Sequence, residues 1–170
     1  MLMTLSRPTL KEIGEAGEEL VSLVYRKLGC IVELSEDKYD QEKDMLINGI
    51  PAEVKTQTIF RYFPLNGVFY RAFTVDIETK YGKVFHNQLK KCCEVEKLIF
   101  VGRSSKNDRV VRIYEAQPPE SRVYHISTNS KDGRKVAGFL IDDMTLIREI
   151  RKEHIVEYFM DEWRSYAKSF

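Results

Sequence analysis

The sequence predicts an α/β fold with a mixed central β-sheet flanked by helices. Three observations carry that expectation. An amphipathic helical pattern opens the chain, a tight hairpin follows it, and a second helical stretch feeds a short apolar strand. The 170 residues suit a single domain, 1–170, with one adequate core.

Taken in order, residues 10–28, "LKEIGEAGEELVSLVYRKL", place Ile13, Gly17, Leu20, Val21, Val24 and Leu28 on one stripe at 100° per residue. Gly29 follows as a helix stop. "CIVEL" reads as a short strand, and residues 35–43 as a polar loop into the hairpin. Residues 58–63 and 67–77 read as strands around "PLNG", and residues 84–95 as a helix leading into the strand "KLIFVG". "RVVRIYEA" and "KVAGFLID" are extra strands, and the tail from Asp142 to Ser169 is expected to be helical, in two pieces.

The hairpin is the informative element. In "DMLINGIPAEVKTQ", Asn48-Gly49 is a strong signal for a two-residue type I′ loop. It predicts the pairs Ile47–Ile50, Leu46–Pro51, Met45–Ala52 and Asp44–Glu53. Alternation then puts Met45, Ile47, Ile50, Ala52 and Val54 on one apolar face, and Asp44, Glu53, Lys55 and Gln57 on the other. Asp44–Glu53 falls at a non-hydrogen-bonded position, where Cα atoms lie about 4.5 Å apart and like charges repel. A purely structural sheet would avoid that pair, whereas a divalent cation would need it. Pro51 lacks an N–H on the side away from the hairpin, which predicts an edge or a bulge there.

Composition bounds the function. Hydrophobic residues make up 43% of the chain, which excludes wholly disordered classes. No apolar run is long enough for a membrane span, so no membrane partner is expected. The opening "MLMTLSRPTLKE" lacks the pattern of a secretory leader. Cys30, Cys92 and Cys93 show no C-x-x-C spacing and read as reduced core or helix residues of an intracellular, cytoplasmic protein. His86, His125 and His154 show no ligand spacing either. Net charge is +1, yet residues 1–54 hold six Lys/Arg against eleven Asp/Glu, while residues 55–91 hold seven against two. Such asymmetry suits a polyanionic partner, and equally a solvated basic face.

A third acid is expected from the first helix. Glu15 and Glu19 lie roughly 150–170° from the centre of the apolar stripe and should face solvent, whereas Glu18 lies only about 110° away, at its flank. A helix glutamate, an Asp, and Glu-x-Lys on a hairpin resemble the pattern of the PD-(D/E)XK nucleases, which include restriction and homing endonucleases and Holliday-junction resolvases. The resemblance covers roughly Gly14 to Gly102, with "GEAGEELVSLVYRKLG" similar to a resolvase-type first helix, and Gly14 and Gly29 both pointing to Glu18. Where the family name has proline, this chain has Lys43. The stretch from Thr58 to Lys83 is longer than a minimal core requires.

The resemblance implies a restriction-endonuclease-like core and a Mg²⁺-dependent DNA endonuclease, with Mn²⁺ as a substitute. Asp44, Glu53 and Glu18 would hold the metal or its water shell. Lys55 would position the attacking water, and Gln57 would hydrogen-bond water or phosphate. Arg61, Tyr62, Tyr70 and Arg71 would reach a groove or stack on bases, or else form an ordinary sheet face. Lys83, Asn87, Gln88, Lys90 and Lys91 are candidates for phosphate contact, and "SKDGRK" is a turn able to reach phosphate. The substrate is expected to be duplex or branched DNA and the assembly a homodimer or higher homo-oligomer, with Trp163 and the C-terminal helix in the core or a dimer seam. A site-specific enzyme, a junction resolvase and an inactive DNA-binding module compete, and the near-neutral charge disfavours the resolvase.

Overall fold

The computed structural model describes residues 9–36, 43–78, 86–128 and 131–158. They form a mixed α/β fold of two helices and two sheets. Helix α1 spans Leu10–Lys27, and Thr9 starts it with a capping box: its Oγ1 accepts from the Glu12 N–H at 3.2 Å while its own N–H donates to Glu12 Oε2 at 2.6 Å. Gly29, at φ 89°, ends it, donating to Arg26 O while Cys30 N–H donates back to Tyr25 O, both at 2.9 Å. That is a Schellman closure, available because glycine accepts positive φ without strain.

Strands β1 (Val32–Leu34), β2 (Met45–Ile47) and β3 (Ile50–Ile59) follow. Asn48 and Gly49 take φ of 50° and 78°, and the predicted pairs Ile47–Ile50, Leu46–Pro51 and Met45–Ala52 all form. Next come β4 (Arg61–Leu65), β5 (Val68–Glu78), α2 (His86–Glu94), β6 (Lys97–Arg103), β7 (Val110–Glu115), β8 (His125–Thr128), β9 (Lys135–Leu140) and β10 (Thr145–Arg151). The larger sheet runs β1-β2-β3-β6-β7-β10, with β3 and β6 parallel and the other pairs antiparallel. Strand β3 is therefore central rather than an edge. Pro51 is tolerated because the β6 ladder starts only at Ala52.

The β3 alternation sorts two layers. Ala52 and Val54, with Ile99 and Val101 of β6, pack against Ala16, Leu20, Val21 and Val24 of α1. Leu98 and Phe100 are the register partners of Glu53 and Lys55, and they face Cys92 of α2 and Val95 just after it, together with Phe73, Val75 and Phe139 of the second sheet. That sheet, β4-β5-β9-β8, lies over the Glu53 and Lys55 side. It also curls, bringing β4 near β8, with Phe63 filling the concave face so closely that a Cβ on Gly138 would meet its ring at 2.6 Å.

Several expectations need correction. Residues 145–151, expected as helix, form β10, which pairs with β7 and carries a bulge between Leu146 and Arg148. The uncovered edge of β7 offers backbone partners that local helical patterning does not register. Residues 152–158 form 3-10 turns, and the remainder of the expected C-terminal helix, with Trp163, lies outside the described residues. The extra strands form a sheet of their own. The α1 stripe is broader than expected: Gly17, Leu20, Val21 and Val24 are buried as expected, Ala16 and Tyr25 are buried on its two flanks, and Leu28, the C-cap residue, is 48% exposed. Ile50 shares the predicted apolar face, yet it sits at the exposed tip of the hairpin.

Candidate active site

The hairpin sets the first carboxylate. The β2–β3 ladder ends at Met45–Ala52, so Asp44 does not form the simple pair with Glu53 that alternation predicts. Its N–H donates to Ala52 O at 2.9 Å, and its Oδ2 accepts from the Val54 N–H at 2.7 Å. The side chain thus replaces the missing strand partner and is fixed on β3. Burial pushes the Asp44 carboxyl up to about 6, and the Glu53 charge adds to the rise. The Val54 N–H and the Lys91 ammonium oppose it.

Glu53 is buried beneath α2, only 1% exposed. Two ammonium groups reach it: Lys55 Nζ lies 2.5 Å from Oε1, and Lys91 Nζ lies 2.6 Å from Oε2 and 3.7 Å from Asp44 Oδ1. The Oε2 contact is ionic only, because that buried oxygen has no hydrogen-bond partner in proper geometry. Lys55 is held above its ordinary range: burial, the largest single effect, works against the charge, and Glu53, Cys92 and Asp44 together outweigh it. Burial raises Glu18 to about 7, with Asp44, Glu53 and Glu15 adding repulsion and Lys55 opposing. Glu18 therefore lies within the field of the other three groups, as its place at the flank of the helix predicts.

Three carboxylates and two ammonium groups thus share one region. Among the described residues, no three His, Cys, Asp or Glu side chains stand close enough to form a ready metal cage. Asp44 and Glu53 nevertheless offer all-oxygen donors to a hard cation, and the unsatisfied Glu53 Oε2 is a lone-pair site such an ion would fill. The donor set fits Mg²⁺.

Other candidates divide. Gln57 is turned away from the carboxylates, donating from Nε2 to Thr74 Oγ1 at 3.1 Å and accepting from the Thr74 N–H at 3.3 Å. Strand β5 passes over β3 there and takes up the amide. Arg71 stacks 3.9 Å from the Tyr62 ring centroid and donates to Tyr62 Oη at 2.7 Å and Phe60 O at 3.3 Å. Arg61 and the outer part of Tyr62 are exposed. With Gln57, Thr74, Ser127 and Arg134 they line a groove of about 360 Å³ that starts two residues along β3 from Lys55. Gln88 and Lys90 are exposed on α2, Lys90 lying 4.0 Å from Glu94. Asn87 lies on α2, and Lys83 lies outside the described residues. Glu15 and Glu19, expected to face solvent, are both half-buried.

Lys91 is the residue whose place sequence reasoning missed, since it stands against the carboxylates of Asp44 and Glu53. A signal existed. Around the inward stripe of Leu89, Cys92 and Val95, Lys91 falls roughly 100° from the centre and Lys90 roughly 160°. The same wheel that singles out Glu18 separates the two lysines. Of the groove residues, Arg134 falls within the "SKDGRK" turn expected to reach phosphate, whereas Ser127 had no such signal, because its place depends on how the second sheet curls.

No family model, no curated protein and no solved structure matches the chain. No described helix is long and apolar enough to cross a membrane.

Proposed function

We propose that the chain is a Mg²⁺-dependent DNA endonuclease with a restriction-endonuclease-like core. The observation that carries this reading is the convergence of Asp44, Glu53 and Lys55 on one sheet face with the Glu18 charge beside them. When bound, the divalent ion supplies an activated water and neutralises charge that develops on the phosphate. Asp44 and Glu53 would hold it, and Glu18 would bind its water shell. Lys55, about one-quarter exposed, is placed to hold the attacking hydroxide and to stabilise the phosphorane oxygens. Burial of Glu53 excludes water from one side, so substrate approaches past Asp44 and Lys55, the more exposed pair. The groove beside Gln57, with Arg61, Tyr62 and Arg134 on its rim, suits the phosphates and bases of flanking DNA. A site-specific action on duplex DNA by a homodimer is the form this reading takes, with a junction-selective resolvase as its variant.

One observation favours a second reading. Asp44 and Glu53 are already engaged by ammonium groups, as they would be in a nuclease-fold DNA-binding module without activity. Cleavage assays on linear duplex, single strand, four-way junction and RNA, each with Mg²⁺ and with EDTA, separate the possibilities. Mg²⁺-dependent cutting of duplex or junction DNA is the expected result. Undiminished cutting in EDTA overturns the metal-dependent assignment, and binding without cutting in Mg²⁺ or Mn²⁺ leaves the module.

A further inference from the structure

Lys91 is not a loose surface lysine. Helix α2 is held on one side by Cys92 and Val95 in the core. At its C-terminus Arg122 donates to Cys92 O at 2.7 Å and Val95 O at 2.8 Å. A guanidinium on the last carbonyls closes the helix and suits its negative end. This doubly anchored helix delivers the ammonium 2.6 Å from Glu53 Oε2 and 3.7 Å from Asp44 Oδ1, with only 18% of the side chain exposed. Those are the two oxygens on which a divalent cation would settle. An oxygen about 2.1 Å from Mg²⁺ has little lone pair left for an ammonium at contact distance, so the two cations compete.

We propose that Lys91 is the resident counter-cation of the Asp44–Glu53 pair, released from it when metal enters. The inference rests on the metal-dependent reading above and adds a residue that the Glu-x-Lys motif does not contain. Lys91 keeps two neighbouring carboxylates together in the metal-free protein, where they would otherwise repel. Its flexible four-carbon stem allows the ammonium to turn without moving α2. It acts through the carboxylates and is thus a positioning residue.

The test compares wild type with Lys91→Met, which keeps the stem and removes the charge. Calorimetric titration with Mn²⁺ should show the variant binding on the order of tenfold tighter. In EDTA the variant should melt below wild type, and saturating Mn²⁺ should close the gap. Equal or weaker Mn²⁺ binding, or a melting deficit that Mn²⁺ leaves unchanged, overturns the proposal while the metal site stands. Failure of both proteins to bind Mn²⁺ removes the metal-dependent reading and the inference with it. Wild-type protein with ¹⁵N-labelled lysines gives a second measurement should the variant not fold. The Lys91 ammonium resonance, assigned by its loss in Lys91→Arg, should move saturably with Mg²⁺. A Lys91 signal that stays fixed while Mg²⁺ shifts that of Lys55 overturns the proposal.

Discussion

Gly17 of α1 lies directly against Thr56 of β3: a methyl group at residue 17 would fall 1.7 Å from Thr56 Oγ1 and 2.9 Å from its Cβ. This contact sets how closely the helix approaches the central strand. Glu18 is the next residue on the helix and Lys55 the preceding one on the strand. The absent side chain at 17 therefore governs whether the helix carboxylate feels the charges of the hairpin.

Gly17→Ala should consequently be destabilising, although alanine is the better helix former by about 1 kcal/mol. Separating the two elements to fit the methyl costs roughly 1–3 kcal/mol. Urea unfolding should show a net loss, and metal-dependent cleavage should fall further than the stability loss explains. Thr56→Ala in the same chain removes Oγ1 and Cγ2 but leaves Cβ, so it should recover only part of both. A Gly17→Ala protein more stable than wild type would mean that α1 does not approach β3 this closely.

Asp44 has two duties that substitutions can separate. Its Oδ2 accepts from the Val54 N–H, and its charge repels Glu53. Asp44→Asn keeps an acceptor and drops the charge, so in metal-free buffer its melting temperature should equal or exceed that of wild type. Asp44→Ala leaves the Val54 N–H unpaired and should cost about 1–3 kcal/mol. Both should abolish Mn²⁺ binding by calorimetry, together with cleavage. Equal destabilisation by both variants would assign the stability to the charge instead.

Both helices, the hairpin register and the grouping of Asp44, Glu53 and Lys55 were legible in the sequence. Local signals decide them: helical periodicity, Gly29, Asn48-Gly49 and period-two alternation. The bulk of the misreadings follow from long-range pairing. Residues 145–151 became a strand because β7 offered an edge, and Gln57 was drawn to Thr74 because β5 crosses above it. The placing of Lys91 is a different kind of miss. Its signal lies in the wheel of α2, where Lys91 sits at the flank of the stripe formed by Leu89, Cys92 and Val95.

The pH dependence of stability follows from Glu18 and Asp44. Their folded values, about 7 and about 6, stand above the ordinary 4.5 and 3.8. Between about pH 4 and pH 7 the folded state thus holds more protons than the unfolded state, and stability falls as pH rises. Below that window both states are protonated and no penalty exists, whereas above it the penalty is complete. On the order of 2 kcal/mol is expected, reduced from the full shifts because the groups titrate together and keep some contact with water. Chemical denaturation in EDTA at pH 5 and pH 7.5 should show the loss, and Mg²⁺ should restore stability at pH 7.5 far more than at pH 5. Stability that rises with pH across this window would contradict the clustering of the carboxylates.

Glu18 should matter to the reaction far more than its neighbours on the helix. Asp44 and Glu53 are the nearby carboxylates that most raise its pKa, after burial, whereas Glu15 acts more weakly and pairs with Lys11 at 3.9 Å. Glu18→Gln preserves size and helix propensity and removes one negative charge beside the metal donors. Cleavage should slow by roughly 10–100-fold or more, as expected for a group that binds the metal's water shell. The same change should raise metal-free stability at pH 7.5, because it removes a carboxylate that ionises there at a cost. Glu15→Gln and Glu19→Gln should leave cleavage within a few-fold of wild type despite their partial burial. Side-by-side rates of the three variants, with melting curves in EDTA, decide the matter. If Glu15→Gln or Glu19→Gln is the crippled variant, the third acid is misplaced, and the grouping of Asp44, Glu53 and Lys55 stands without it.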